Sequence, residues 1–283
     1  MRHPILLAVC MAGVTAVAGC GEKDANATVE RAFKDVNVVD ETNLSDVMLT
    51  VADPNEAVSY FARSAKEDPD RIDHQRGLAS SLARAKRRTE AVSAWEKVTK
   101  MKEATPDDSV ELADALIRSG DWARAETVLN SIPPTHETFA RYRLEAMVAD
   151  SKEQWKRADS FYEIAVGLTT TPAAVMNNWG YSKLTRGDYP EAERLFAEAI
   201  RQDNTLFTAK NNLVMARAAQ RDYTLPVMPM EQSERAQLLH TMALSAIKRG
   251  DVATGKGLLQ EAIDTHPQHF EAAVRSLRAL EAG

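Results

Sequence analysis

Cysteine is almost missing from this chain of 283 residues: only Cys10 and Cys20 occur. Cys10 sits inside an apolar N-terminal run and Cys20 closes it. Nothing downstream can form a disulfide, a thiolate metal site or a cysteine nucleophile. Aromatic residues are scarce at 6%, and no alternating apolar run is long enough for a sheet. An excess of basic charge is also lacking. The formal net charge is −6, which argues against nucleic acid as the main partner. No His-Glu-x-x-His and no Gly-x-Ser-x-Gly is present, and no carboxylate pair stands out by its spacing. Gly250 to Lys256 fits seven places of a phosphate loop, but Gly257 stands where Ser or Thr would hold Mg²⁺, and no strand precedes it. His266 and His269 straddle Pro267 without a third ligand in view. No catalytic residue, cofactor or metal site is therefore expected.

What is present begins at the N-terminus. Met1-Arg2-His3 is followed by an almost wholly apolar or small run over residues 5–18. That is the length of a secretory h-region and too short for a comfortable membrane span. It ends in Val17-Ala18-Gly19-Cys20 and then turns polar at Gly21-Glu22-Lys23-Asp24. This resembles a bacterial lipobox. The resemblance implies that 1–19 is a lipoprotein signal peptide and that Cys20 is lipidated and becomes the new N-terminus. Two or more acyl chains give stable membrane anchoring. Gly21, in place of Asp, favours the outer membrane over the inner one. Residues 20–38 have no sustained apolar period and read as the lipidated cysteine and a polar tether.

From about residue 39 the chain reads as helix after helix, punctuated at Asp53-Pro54, Asp68-Pro69, Thr105-Pro106, Pro133-Pro134, Thr171-Pro172 and His266-Pro267. One phrase recurs every 30-odd residues. Gly187-Asp188-Tyr189-Pro190-Glu191-Ala192 is its fullest form; Gly120-Asp121-Trp122-Ala123 and Gly250-Asp251-Val252 repeat its opening, and Gln154-Trp155 varies it. Such a period marks one structural unit copied and stacked. The clearest unit, 173–205, carries Met176, Trp179, Gly180 and Lys183 on a first helix and Ala192, Phe196 and Ala199 on a second. It resembles the tetratricopeptide repeat, with Gly180, Ala192 and Phe196 at matching places and Lys183 departing from the expected aromatic. Weaker copies fall at 39–70, 72–104, 106–134, 138–171 and 236–267, and 269–281 reads as a terminal cap. The expected fold is all-α: a superhelical solenoid of antiparallel helix pairs with a C-terminal capping helix. Repeats are expected over 39–223, a proline-containing linker over 224–235, and the final repeat with its cap over 236–283.

One unit is interrupted. After a first helix over 206–220, Thr224-Leu225-Pro226-Val227-Met228-Pro229-Met230 replaces the second, since two prolines three apart exclude a helix. This strap is either a partner-contact segment or a loop packed over a gap. Arg84, Lys86, Arg87 and Arg88 form a basic cluster, either a solvated face or a patch for an acidic partner.

In the tetratricopeptide family the groove is lined by first helices, and an Asn there often holds a peptide backbone. The resemblance points to Asn177 and Asn178 in one unit and Asn211 and Asn212 in the next, completed by Tyr181, Lys183, Met215 and Arg217. An amide offers both donor and acceptor, which suits an extended peptide; alternatively these side chains only satisfy local backbone groups. The plan of a lipobox followed by weak and then strong repeats resembles the TadD-like repeat lipoproteins of the tight-adherence (Flp) pilus system. That resemblance implies a non-enzymatic periplasmic scaffold for protein partners that assists assembly or stability of the outer-membrane secretin. The alternatives are a pilotin or adaptor lipoprotein of another envelope machine, or a docking protein for cell-wall enzymes.

Overall fold

The computed structural model describes residues 44–281. The signal peptide, Cys20 and the tether predicted from the sequence lie outside them. Residues 44–50 form a short helix, α1. Thirteen longer ones follow: α2 Pro54–Glu67, α3 Ile72–Arg84, α4 Arg88–Val98, α5 Pro106–Ser119, α6 Trp122–Ser131, α7 Phe139–Ser151, α8 Trp155–Gly167, α9 Ala173–Thr185, α10 Tyr189–Gln202, α11 Phe207–Ala219, α12 Gln232–Lys248, α13 Val252–Thr265 and α14 Glu271–Glu281. No strand occurs among the described residues. Each helix from α2 onward packs on the next, and α5, α7, α9 and α11 also touch in series. First helices thus stand side by side as one wall, with second helices behind them.

The recurring phrase is a helix stop. Lys86, Gly120, Glu153, Gly187, Arg221 and Gly250 all take the left-handed conformation, with φ between 57° and 87°. The residue after each donates its N–H back to the preceding helix: Arg87 to Leu82, Asp121 to Leu116, Gln154 to Ala149, Asp188 to Lys183, Asp222 to Arg217 and Asp251 to Ala246, at 2.9–3.1 Å. This is the Schellman closure, whose left-handed residue is cheapest as glycine. Three units use glycine and three do not, so the backbone repeat is more regular than the sequence one. Replacing Glu153, at φ 57°, by glycine is expected to stabilise the chain by about 1 kcal/mol, read by urea unfolding. A loss of stability would show that the Glu153 side chain contributes more than its backbone strain costs.

Close approach explains the small residues. A Cβ on Gly180 would lie 2.7 Å from the Phe196 ring, and one on Gly77 would lie 2.3 Å from Phe61. A Cβ on Gly255 would meet Ile247 at 2.4 Å. Gly250 to Lys256 is therefore a helix stop followed by the first turns of α13, with Gly255 serving helix contact.

The interrupted unit keeps its helix stop at Arg221 but has no second helix; α12 is the next first helix. Tyr223, just before the strap, and Leu225, Met228 and Met230 within it pack on the core of α12 and α13, and Met228 also meets the core of α10 and α11. The strap covers this seam, as the packed-loop reading expects, while Val227 points fully outward. At the far end α14 closes the stack through buried Ala273 and half-buried Leu277.

Arg84 is not a patch residue. Its guanidinium donates to the carbonyls of Met48, Leu49 and Ala52, at 2.6–2.9 Å, and so caps the end of α1.

Candidate functional site

Helix periodicity decides what faces the wall. On α9, Asn177, Asn178, Tyr181, Ser182 and Thr185 recur at helical spacing, and with Thr208 and Asn212 of α11 they line one cavity. Met147, Asp150 and Ser151 of α7 close its other side; Trp122, Trp155 and Tyr162 come from α6 and α8. The cavity measures about 450 Å³, within the range of small-ligand and side-chain pockets.

Asn177 and Asn212 are 8% and 7% exposed, and Asn212 Nδ2 donates to Asn177 Oδ1 at 3.0 Å. The bond ties two successive first helices together. It leaves Asn177 Nδ2 as a donor and Asn212 Oδ1 as an acceptor on the cavity wall, a complement to one peptide unit. Neither amide serves its own local backbone. Asn178 is half-buried, with Nδ2 3.6 Å from Met147 Sδ.

Asp150 lies among the aromatic side chains. Tyr162 Oη donates to it at 2.9 Å and Ser182 Oγ at 2.7 Å. Burial pushes its carboxyl above the usual range, and these two hydrogen bonds only partly offset the effect. Tyr162 is raised well above the ordinary phenol value, first by burial and then by the Asp150 charge.

Four of the eight residues singled out in the sequence meet here: Asn177, Asn178, Tyr181 and Asn212. Asn211 and Met215 face the next seam, where Asn211 Oδ1 accepts from Thr241 Oγ1 at 2.8 Å. Lys183 and Arg217 do not join the cavity. Lys183 pairs with Asp159 and Asp188, at 3.2 and 3.7 Å, on the side of α9 that carries Trp179. Arg217 pairs with Asp222 and Glu193 beside the strap. Each lies five residues beyond a cavity-lining Asn, Asn178 or Asn212, and so on another side of its helix.

Asp150, Ser151, Thr185 and Met147 had no signal that set them apart in the sequence. Trp122 and Trp155 did: both occupy the first position of a second helix, directly after the repeated turn. Their place in the recurring phrase marks them as repeat positions, and in the fold they also line the cavity.

Among the described residues no group of three His, Cys, Asp or Glu side chains could hold a metal ion. His266 and His269 instead serve the start of α14, where His269 Nε2 lies 2.9 Å from a Glu271 carboxylate oxygen. No described helix is long and apolar enough to cross a membrane.

Comparison with known proteins agrees with this architecture. The tetratricopeptide repeat family matches residues 44–109 and 177–225. A curated relative, stress-induced-phosphoprotein 1 of Caenorhabditis elegans, is 24% identical over 164 residues. The match covers 58% of this chain and 51% of that protein, so the chain spans about half the length of its relative. Among solved structures, the APC/C hetero-tetramer Cut9–Hcn1 superposes with a TM-score of 0.60 at 13% identity, over 83% of this chain and 48% of that one. A human IFIT1 dimer with PPP-AAAA gives 0.57 at 15% identity, over 80% and 59%. A tetratricopeptide repeat protein of Parabacteroides merdae gives 0.56 at 11% identity, over 84% and 96%. The fold is a tetratricopeptide-repeat solenoid.

Proposed function

We propose that this chain is a non-enzymatic, lipid-anchored periplasmic scaffold that grips an extended segment of a protein partner in the wall of α7, α9 and α11. The observation that carries the reading is the cavity itself. It is aromatic-walled and bordered by the paired amides of Asn177 and Asn212, which keep one donor and one acceptor unused. Main-chain hydrogen bonds of this kind give affinity to an extended peptide, and the adjacent pocket selects a side chain. Catalysis has less support: the one serine–carboxylate contact in the cavity, Ser182 Oγ to Asp150 at 2.7 Å, is joined by no lining histidine and no metal-ligand cluster.

The partner we propose is the outer-membrane secretin of a tight-adherence pilus, whose assembly or stability the scaffold assists. Support comes from the order of lipobox, tether and repeats in the sequence. A native-envelope crosslinking pull-down tests it, comparing wild type with the double variant Asn178→Ala/Tyr181→Ala. Both residues are partly or largely exposed, so their loss leaves the fold standing. The secretin is expected in the wild-type eluate and depleted at least fivefold in the variant. Its absence from the wild-type eluate would sink the pilus assignment, and equal recovery from both proteins would sink the groove.

The anchor has its own prediction. Cys20→Ala is expected to move the protein from the membrane to the soluble fraction, because no acyl chain can then be attached. Retention of the variant on sedimented membranes would refute lipidation.

A further inference from the structure

We propose that the cavity receives the protonated side chain of a lysine or arginine from the bound segment. The inference rests on the groove reading above and adds the chemistry of the residue selected.

The first argument is charge. Of the cavity's lining residues, Asp150 is the one carboxylate, and no Lys, Arg or His accompanies it. Asp150 forms no ion pair among the described residues; its partners are two hydroxyls. Each of its oxygens can accept a further hydrogen bond. Asp159 provides the contrast on the opposite flank of α9. It takes Arg186 at 2.6 Å, Lys183 at 3.2 Å and Trp179 Nε1 at 2.6 Å. Burial works against its charge, yet those donors hold its carboxyl below the usual range. One half-buried carboxylate is thus saturated by cations and its neighbour is not. A carboxylate that is half-buried without a cation is costly, and a ligand ammonium or guanidinium would remove that cost.

The second argument is the wall. Trp122, Trp155, Tyr162 and Tyr181 line the same cavity as the carboxylate, and aromatic faces attract cations most strongly where water is excluded. Trp155 already stacks a guanidinium, that of Arg186 at 5.6 Å from the ring centroid, whose charge is committed to Asp159. The third is size: about 450 Å³ accommodates a long flexible side chain. The amides of Asn177 and Asn212 sit where the backbone of the same segment would pass. An acidic side chain would meet Asp150, on which Arg186 acts only from outside the cavity lining while paired with Asp159, so the pocket selects against it.

The test uses the immobilised full-length protein and a phage-displayed random dodecapeptide library. Lysine or arginine is expected at one position of the retained peptides, enriched at least fivefold over the input. A selected peptide should bind Asp150→Asn at least tenfold more weakly. Its norleucine analogue should bind wild type and Asp150→Asn alike. Asn preserves the shape of Asp and removes a charge that burial disfavours, but it leaves one of the two hydroxyls without its acceptor; the melting temperature of the variant is therefore measured as well, and the unchanged binding of the norleucine peptide separates a lost cation contact from unfolding. Tyr181→Ala, at an exposed position, should weaken the lysine peptide more than the norleucine one. Peptides retained without basic preference, or a lysine peptide that binds Asp150→Asn as well as wild type, would overturn the cation assignment while the groove survives. A library from which wild type retains nothing would overturn both.

Discussion

Truncating Phe196 to alanine is expected to cost about 3–5 kcal/mol, towards the upper end of that range. Phe196 is completely buried and belongs to a core with Ala192, Ala199, Ile200, Ala209, Leu213 and Ala216. Its ring lies over Gly180, where even a Cβ would be too close. Four of those six neighbours are alanines, which have no rotamers with which to refill a void. The hole therefore stays open, and the cavity penalty adds to the lost transfer energy. Stability in a solenoid is passed between nearest neighbours. The damage should centre on α9, α10 and α11, the elements that hold the Asn177–Asn212 bond. Amide hydrogen exchange should show those helices losing protection first, with urea unfolding giving the total. Phe139→Ala supplies the control: that ring is 42% exposed, and its loss should cost well under half as much. Equal costs for the two variants would mean that the Phe196 seam is loosely packed.

Removing Asp108 is expected to cost about 2–4 kcal/mol, because one carboxylate performs two tasks. Its side chain is 4% exposed and takes Arg76 at 2.7 and 2.8 Å from the neighbouring unit, a bidentate pair. The same carboxylate accepts the Thr105 N–H at 2.7 Å and completes the capping box of α5. Asp108→Ala loses both the cap and the clamp. Arg76 is 29% exposed and can turn to water, which keeps the cost below that of a stranded buried cation. Asp108→Asn keeps much of the cap and should cost less. A double-mutant cycle with Arg76→Ala should give a coupling above about 1 kcal/mol; a coupling near zero would show that the pair is only a contact. Burial works to raise the Asp108 carboxyl, but Arg76 and Thr105 outweigh it and hold it below its usual range. Its contribution is therefore complete above the unfolded value of about 4. It is lost as the pH falls through the lower native value. The difference between wild type and Asp108→Ala should accordingly shrink in acid, and a difference that grows there would contradict this origin.

Much of this architecture was legible in residue order. Gly-Asp at 120, 187 and 250, the small residues at Gly180 and Ala192, and the large one at Phe196 fixed the unit, its length and its helical class. These features are local: a helix stop needs a left-handed residue, and a close crossing needs a missing side chain. Lys86 hid one of the stops, and the stop at Glu153 showed only as the variant Gln154-Trp155, because the backbone conformation is shared while the side chain is not. The site was legible only in part. Asn177, Asn178, Tyr181 and Asn212 could be reached from the pattern of first helices, but Lys183 and Arg217 were drawn in by proximity along the chain.

By itself, the sequence determined an all-helical repeat array, its interruption at 224–230 and the absence of cysteine beyond Cys20. It did so because periodicity, turn chemistry and composition act over a few residues. Only the tertiary structure decided that Asp150, thirty-odd residues before Ser182, would meet Tyr162 and Ser182 inside an aromatic cavity, while Asp159 nearby met two cations. The physical reason is that the charge state and selectivity of a buried group depend on which side chains from other helices surround it. Stacking the units sets that environment, and no local pattern records it.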